Sequence, residues 1–176
     1  MTDDSPRERT TGRADSRSRD EPGAGRAAPD ATSTARSVGL GLKGGVFATV
    51  VMTVFRMPIS ESLPPTANFW AHYFGGDPDD HPGPAFALHL LYGIVGGGLF
   101  GLLFTDTAEE SETRAGIELR DLAKGLAFGL GSSLFGTHVV LRHLIGMDLD
   151  ADETLIFHAG HVIYGLALGA WIGSNR

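Results

Sequence analysis

The chemistry open to this chain rests on a few histidines and tyrosines set in otherwise apolar sequence. His89, His138, His158 and His161 stand within stretches dominated by Leu, Val, Ile, Ala and Gly, and Arg142 and His143 directly follow the third stretch. His89 and Tyr92 are three residues apart, as are His158 and His161, and His161 and Tyr164, so each pair shares a helix face. Ionisable groups in such surroundings are costly, turn toward a protein interior and are functional candidates by default. Three chemistries fit them. Neutral imidazoles and phenols can hydrogen-bond between helices, a structural role worth about 0.5–2 kcal/mol each. Histidines can instead respond to protons or ions, because imidazole titrates near neutrality and Arg142, His143 and nearby acids bias it. As a third reading, His89 and His161 can act as paired axial ligands of a haem or metal.

Hydrolytic metal chemistry would need an activated water and a general base. The nearest acids, Asp152 and Glu153, fall at the start of an apolar stretch and form no convincing constellation, so a non-enzymatic protein without cofactor is expected. Asp77, Asp79, Asp80 and His81 are close in sequence, but D-P-D-D lacks the ligand register of a calcium loop and reads as a solvated acidic turn. The absence of cysteine removes thiolate ligands, disulfides and a thiol nucleophile.

The elements that must position these side chains follow from hydropathy. Residues 1–37 hold seven Arg, seven acidic residues and only Met1 and six Ala as apolar side chains. Such a segment cannot offset its ordering entropy and is expected to be a disordered polar tail. It also lacks the layout of a secretory signal. Beyond it, residues 38–176 form one domain with four apolar stretches, 38–57, 85–104, 122–141 and 154–173. As helices each spans about 30 Å, the thickness of a bilayer's hydrocarbon core. Lys43, Arg56 and Lys124 lie near the ends of these stretches, where long basic side chains snorkel to the interface. The expected fold is an all-α integral membrane four-helix bundle. Its partners are the bilayer and, for any conducting path, further copies of itself. A net charge of -7 argues against nucleic acid.

Arg26, Arg36, Lys43, Arg114, Arg120 and Lys124 fall on the tail side of the stretches, whereas connections 58–84 and 144–153 carry eight acidic residues and no Lys or Arg. The positive-inside rule then places both termini in the cytoplasm of a cell with this protein in its inner or plasma membrane. The connection 58–84 also contains Thr66, a candidate N-cap, ahead of Phe69, Trp70, Tyr73 and Phe74, rings suited to the headgroup zone.

The chain contains an internal echo. His89-LLYGIVGGGLF-Gly101 and His161-VIYGLALGAWI-Gly173 both read H-x-x-Y-G-x-x-x-G-x-x-x-G, and the stretches before them share K-G-x-x-F at Lys43–Phe47 and Lys124–Phe128. This reads as a helical hairpin repeated once, both copies pointing the same way, with a symmetry axis along the membrane normal. Glycines four apart fall on one face: Gly93, Gly97 and Gly101; Gly165, Gly169 and Gly173; Gly41 and Gly45 with Thr49 and Thr53; Gly125 and Gly129 with Ser133. Helices in lipid associate through close backbone approach, which such stripes allow.

The run Gly41-Leu42, Gly45, Ala48-Thr49, Met52-Thr53 and Pro58, with a glycine-striped helix bearing H-x-x-Y-G, resembles small multi-pass membrane proteins of bacteria and archaea. It is distantly similar to the YagU-like inner-membrane family, in which a Gly-His pair begins the last helix, as Gly160-His161 does here. The resemblance implies an inner-membrane location and carries no catalytic residue. The expected role is a structural or stress-related membrane component, or an oligomer that carries a small solute or responds to protons. A redox or metal protein with intramembrane His ligands is the alternative.

Overall fold

A computed structural model describes residues 31–59, 63–105 and 113–176, and among these residues there are helices and connections but no strand. The five α-helices are α1 (Ala31–Arg56), α2 (Thr66–Phe74), α3 (Pro82–Phe104), α4 (Arg114–Phe135) and α5 (Ala151–Ser174). A π-helical segment, Gly136–Ile145, continues α4, and a 3-10 turn at Pro78–Asp80 precedes α3. The tail expected over 1–37 lies outside the described residues as far as position 30. From Ala31 the chain is helical, so 31–37 form the first turns of α1 rather than the end of the tail.

Three helices, α1, α3 and α5, are long and apolar enough to cross a membrane. Helix α4 is of similar length but carries Arg114, Glu118, Arg120, Asp121 and Lys124 in its first half. Local chemistry sets the helix starts. Pro82 opens α3 where a missing N–H costs nothing. The Thr113 hydroxyl accepts from Gly116 N at 3.2 Å to cap α4. Asp150 and Glu153 form a reciprocal capping box on α5, at 2.8 and 3.2 Å.

Thr66 does not cap α2. Pro65 occupies that position, and the Thr66 hydroxyl donates instead to the carbonyl of Ala85 at 2.7 Å, tying α2 to α3. The π-helical segment begins where side chains occupy carbonyls of the preceding turn. Thr137 Oγ1 donates to Ser133 O and Leu134 O (3.1 and 3.2 Å), and His138 Nδ1 meets Leu134 O at 3.1 Å. Such back-bonding loosens the regular ladder. Gly146, at φ 73°, ends the segment in the left-handed region.

The long helices lie in the order α3, α1, α5, α4, each antiparallel to the next. Both glycine stripes sit at crossings. A Cβ on Gly97 would stand 2.6 Å from Gly45 Cα, and one on Gly125 would stand 2.8 Å from Gly169 Cα. The backbones are therefore in direct contact along α1–α3 (Gly41, Gly45, Gly93, Gly97, Gly101) and along α4–α5 (Gly125, Gly129, Gly165, Gly169), and Gly173 takes Glu118 of α4 against it. Gly44 faces a different neighbour from Gly45. A Cβ there would meet Trp171 and Leu168 of α5 at 2.8 and 2.9 Å, so adjacent glycines let α1 pack on two helices at once. Ala48, Met52, Phe100, Tyr164, Leu168 and Ile172 fill the junction of α1, α3 and α5.

Helices α3 and α4 scarcely touch. Where they meet, Phe128 packs edge-on against Phe100 and Phe104 (centroids 5.4 and 6.1 Å), and Lys124 Nζ donates to Phe104 O at 3.0 Å. At the same end, Arg176 reaches the fully buried Asp121 carboxylate at 3.0 Å. This end, shared by Ala31, Phe104, Arg114 and Arg176, is closed. Toward the other end α3 and α4 diverge, and a gap opens between them.

Candidate functional site

The divergence creates a cleft of two adjoining lobes, about 430 and 500 Å3, which share Met52, His89, Tyr92, Val95, Phe135 and His161. Met52 of α1 and His161 of α5 contribute at its base, and α3 and α4 supply walls. Thr66 and Phe69 of α2 and Val140, Leu141, Leu144 and Ile145 of the π-helical segment surround the lobe farther from the closed end. The lining is almost entirely apolar. The volumes fall within the roughly 300–1,000 Å3 of small-molecule sites, and an apolar wall with a few convergent polar groups is their usual composition.

Those polar groups are the ones that sequence spacing singled out, but only some of them. His89 and His161 are both buried (8% and 7% exposed) and both line both lobes. Residues of the π-helical segment line the same lobe. His161 Nδ1 lies 2.9 Å from Phe157 O. A carbonyl only accepts, so Nδ1 carries the proton and Nε2 is left as the second hydrogen-bonding atom. His89 makes no hydrogen bond among the described residues, although nine-tenths of its surface is covered and its ring faces the cleft.

The two tyrosines of the echoed motif differ. Tyr164 is buried and lines one lobe, and its hydroxyl donates across to α3 at Gly93 O, 2.6 Å away. Tyr92 lines both lobes and is 41% exposed.

The remaining candidates lie elsewhere. His158 turns toward α4, where its Nδ1 hydrogen-bonds the buried Ser133 hydroxyl. His138 is engaged with Thr137 and Leu134 on its own segment, and His143 with the His138 carbonyl. Arg142 is exposed and pairs at 3.5 Å with the equally exposed Asp148. The four histidines of the apolar stretches are thus divided between the cleft, an interhelical bond and a surface segment.

Arg56, expected only to snorkel at the end of α1, lines the cleft beside His89 and His161. Its aliphatic stem passes over Gly160, whose missing Cβ would lie 3.5 Å from Arg56 Cδ. Gly160, one residue before the buried His161, is where the Arg56 stem and Met52 cross α5.

Comparison with family models, with curated proteins and with solved structures gave no match for this chain. The geometry therefore carries the functional argument.

Proposed function

We propose that the chain is a four-crossing membrane protein whose two hairpins leave one seam open as a lateral cleft for a small amphiphile. Helix α4 lies along the whole of α5: Glu118 is beside Gly173, Gly129 beside His161, Ser133 bonded to His158, and Gly136 beside Phe157. A helix packed along a membrane span for its full length crosses with it, and the charges of α4 gather at its closed end, where Asp121, Lys124 and Arg176 are engaged. Four crossings return both termini to one side. The cations at that end make it cytoplasmic, and α2, with Trp70 stacked on Phe74 at 4.4 Å, then lies at the outer interface. The YagU-like resemblance accords with an inner-membrane location.

As a repeated hairpin, α1 corresponds to α4 and α3 to α5. The α1–α5 seam then has the α3–α4 seam as its counterpart. The first is closed by Gly44 against Trp171 and Leu168, whereas the second stands open. The cleft is the place where the internal symmetry fails, and it opens sideways rather than along a central pore. A molecule already dissolved in lipid enters such a site most directly. The role that follows is to hold or carry that molecule, without chemistry on it.

The observation that carries this reading is His89: a covered imidazole with no partner among the described residues, facing an apolar cleft. Its ring opens on the cleft, where a ligand head group can meet it. The test is photolabelling in phosphatidylcholine nanodiscs with hexadecanol carrying a mid-chain diazirine. Adducts should concentrate on Val95, Phe135 and Val140, and Val95→Trp should remove them. Adducts spread evenly over the lipid-facing side of α1, for example Val50 and Val54, would overturn the reading.

Haem ligation by His89 and His161 is a second reading, favoured because both rings line one cleft and His161 Nδ1 is already held by a carbonyl. An absorption spectrum of protein purified from cells grown with haem decides it. A Soret band lost in His89→Ala supports it, and a featureless spectrum removes it.

A further inference from the structure

We infer that the ligand of the cleft is a chain-bearing hydroquinone, with its ring in the lobe nearer the closed end and its chain in the other lobe. The inference rests on the binding cleft proposed above and adds the chemical class of its ligand.

The two lobes differ in their walls. The lobe nearer the closed end sets small residues on both sides, Gly96 on α3 and Ala127, Gly131 and Ser132 on α4, with the rings of Phe104 and Phe128 beside them. Val95 and Leu99 are its only branched aliphatic side chains among the described residues. Gly131 lines this lobe, yet a Cβ added there would meet nothing within 4 Å. Small residues on facing walls leave a slot for a flat ring, and aromatic neighbours favour another ring through offset or edge contacts. The other lobe is lined instead by aliphatic side chains such as Leu91, Val140, Leu141 and Leu144, which suit an alkyl chain.

The polar groups stand where the lobes join. His89 and Tyr92 of α3 and His161 of α5 each line both lobes. His161 Nδ1–H is given to Phe157 O, so in the neutral ring Nε2 can only accept, and a ligand meeting it must bring a donor. The covered His89 ring and the Tyr92 hydroxyl make no hydrogen bond among the described residues, and each can both give and take. A carboxylate or a quinone oxygen only accepts and leaves Nε2 unmatched. A plain alcohol gives and takes but does not fill the small-walled lobe. A hydroquinone carries two phenolic hydroxyls on opposite edges of one flat ring, which lets it address α3 and α5 together. Arg56 lines only the aliphatic lobe and is already engaged, so the head group does not depend on it.

Decyl hydroquinone with a diazirine on the ring or at the chain end is the photolabel, used on the full chain in phosphatidylcholine nanodiscs under reductant. Ring-borne adducts should fall on Ala127, Phe128 and Ser132, and chain-end adducts on Val140, Leu141 and Leu144. Unlabelled decyl hydroquinone should compete about tenfold better than its dimethyl ether, which cannot donate, and His161→Phe should erase that difference. Gly131→Leu, which adds bulk to the lobe without a backbone clash, should remove the ring-borne adducts. Ring and chain adducts that are exchanged or evenly mixed overturn the hydroquinone inference, as does equal competition by the ether in the wild type. In either case, labelling of Val95 and Phe135 by the hexadecanol probe leaves the cleft standing. Absence of cleft labelling by hexadecanol and hydroquinone alike overturns both. The wild-type adduct pattern and ether comparison decide by themselves if a variant fails to fold.

Discussion

The hydroxyl of Tyr164 donates to the backbone carbonyl of Gly93 at 2.6 Å, joining α5 to α3 across the helix that lies between them. Tyr92, which holds the same place in the other copy of the motif, has no hydrogen bond among the described residues and faces the cleft. One repeated residue therefore serves structure and the other is available to a ligand. Tyr164→Phe should lower stability in detergent by about 0.6–2 kcal/mol, the range of interhelical hydrogen bonds in membranes. Tyr92→Phe should leave the melting temperature unchanged. Equal melting shifts in the two variants would contradict this division of labour.

The glycine crossings make a sharper demand. Gly97→Leu would force a side chain into the backbone of α1, 2.6 Å from Gly45 Cα, and should cost about 1–3 kcal/mol or prevent assembly. Gly131 belongs to the same helix class but has open space at its Cβ position. Gly131→Ala should be neutral or stabilising by about 0.5–1 kcal/mol through the lower entropy of the unfolded chain. Thermal unfolding followed by size-exclusion chromatography reads both.

Asp121 is fully buried and meets Arg176 at 3.0 Å, with Arg176 itself 12% exposed. Removing one partner of a buried pair strands the other, at a cost of about 3–5 kcal/mol. Asp121→Ala should therefore melt well below the wild type. The loss should persist at high salt, because buried charges are poorly screened. A variant that melts as the wild type does would show the pair to be dispensable.

Because the chain has no cysteine, single introduced cysteines report topology without background. Ala115→Cys, at the start of α4, should react with a membrane-impermeant maleimide only after cells are opened. Asp148→Cys, beyond the π-helical segment, should react on intact cells. Labelling of both from the same face would mean that α4 does not cross, and the four-crossing proposal would fall.

Helicity, the three apolar spans and the glycine faces were legible because each depends on period and composition alone. Other features depend on which helix a face meets. The K-G-x-x-F echo pairs Lys43 with Lys124, yet contacts with the opposite stripe pair Gly45 with Gly125 and Thr49 with Gly129, one position out of step. One position is about 100° around a helix, enough to exchange one neighbour for another. Gly44 escaped notice for the same reason, lying outside the stripe but against α5. The π-helical segment was hidden because Thr137 and His138 act through bonds to the preceding turn, which spacing does not reveal. The third expected span, 122–141, was displaced by such effects: α4 begins earlier, at Arg114, and its regular helix ends at Phe135.

The seam between α1 and α5 joins the α1–α3 pair to the α4–α5 pair through apolar surface, and α3 adds Phe100 in that core, the ring contacts with Phe128, the Lys124 bond to Phe104 O and the Tyr164 bond. Covalent continuity between Thr105 and Thr113 is then a convenience of synthesis rather than a condition of assembly. Two polypeptides, 1–105 and 113–176, made separately in one cell should find each other in the bilayer and co-purify. A bulky residue at Gly44 should keep them strangers while each half still inserts.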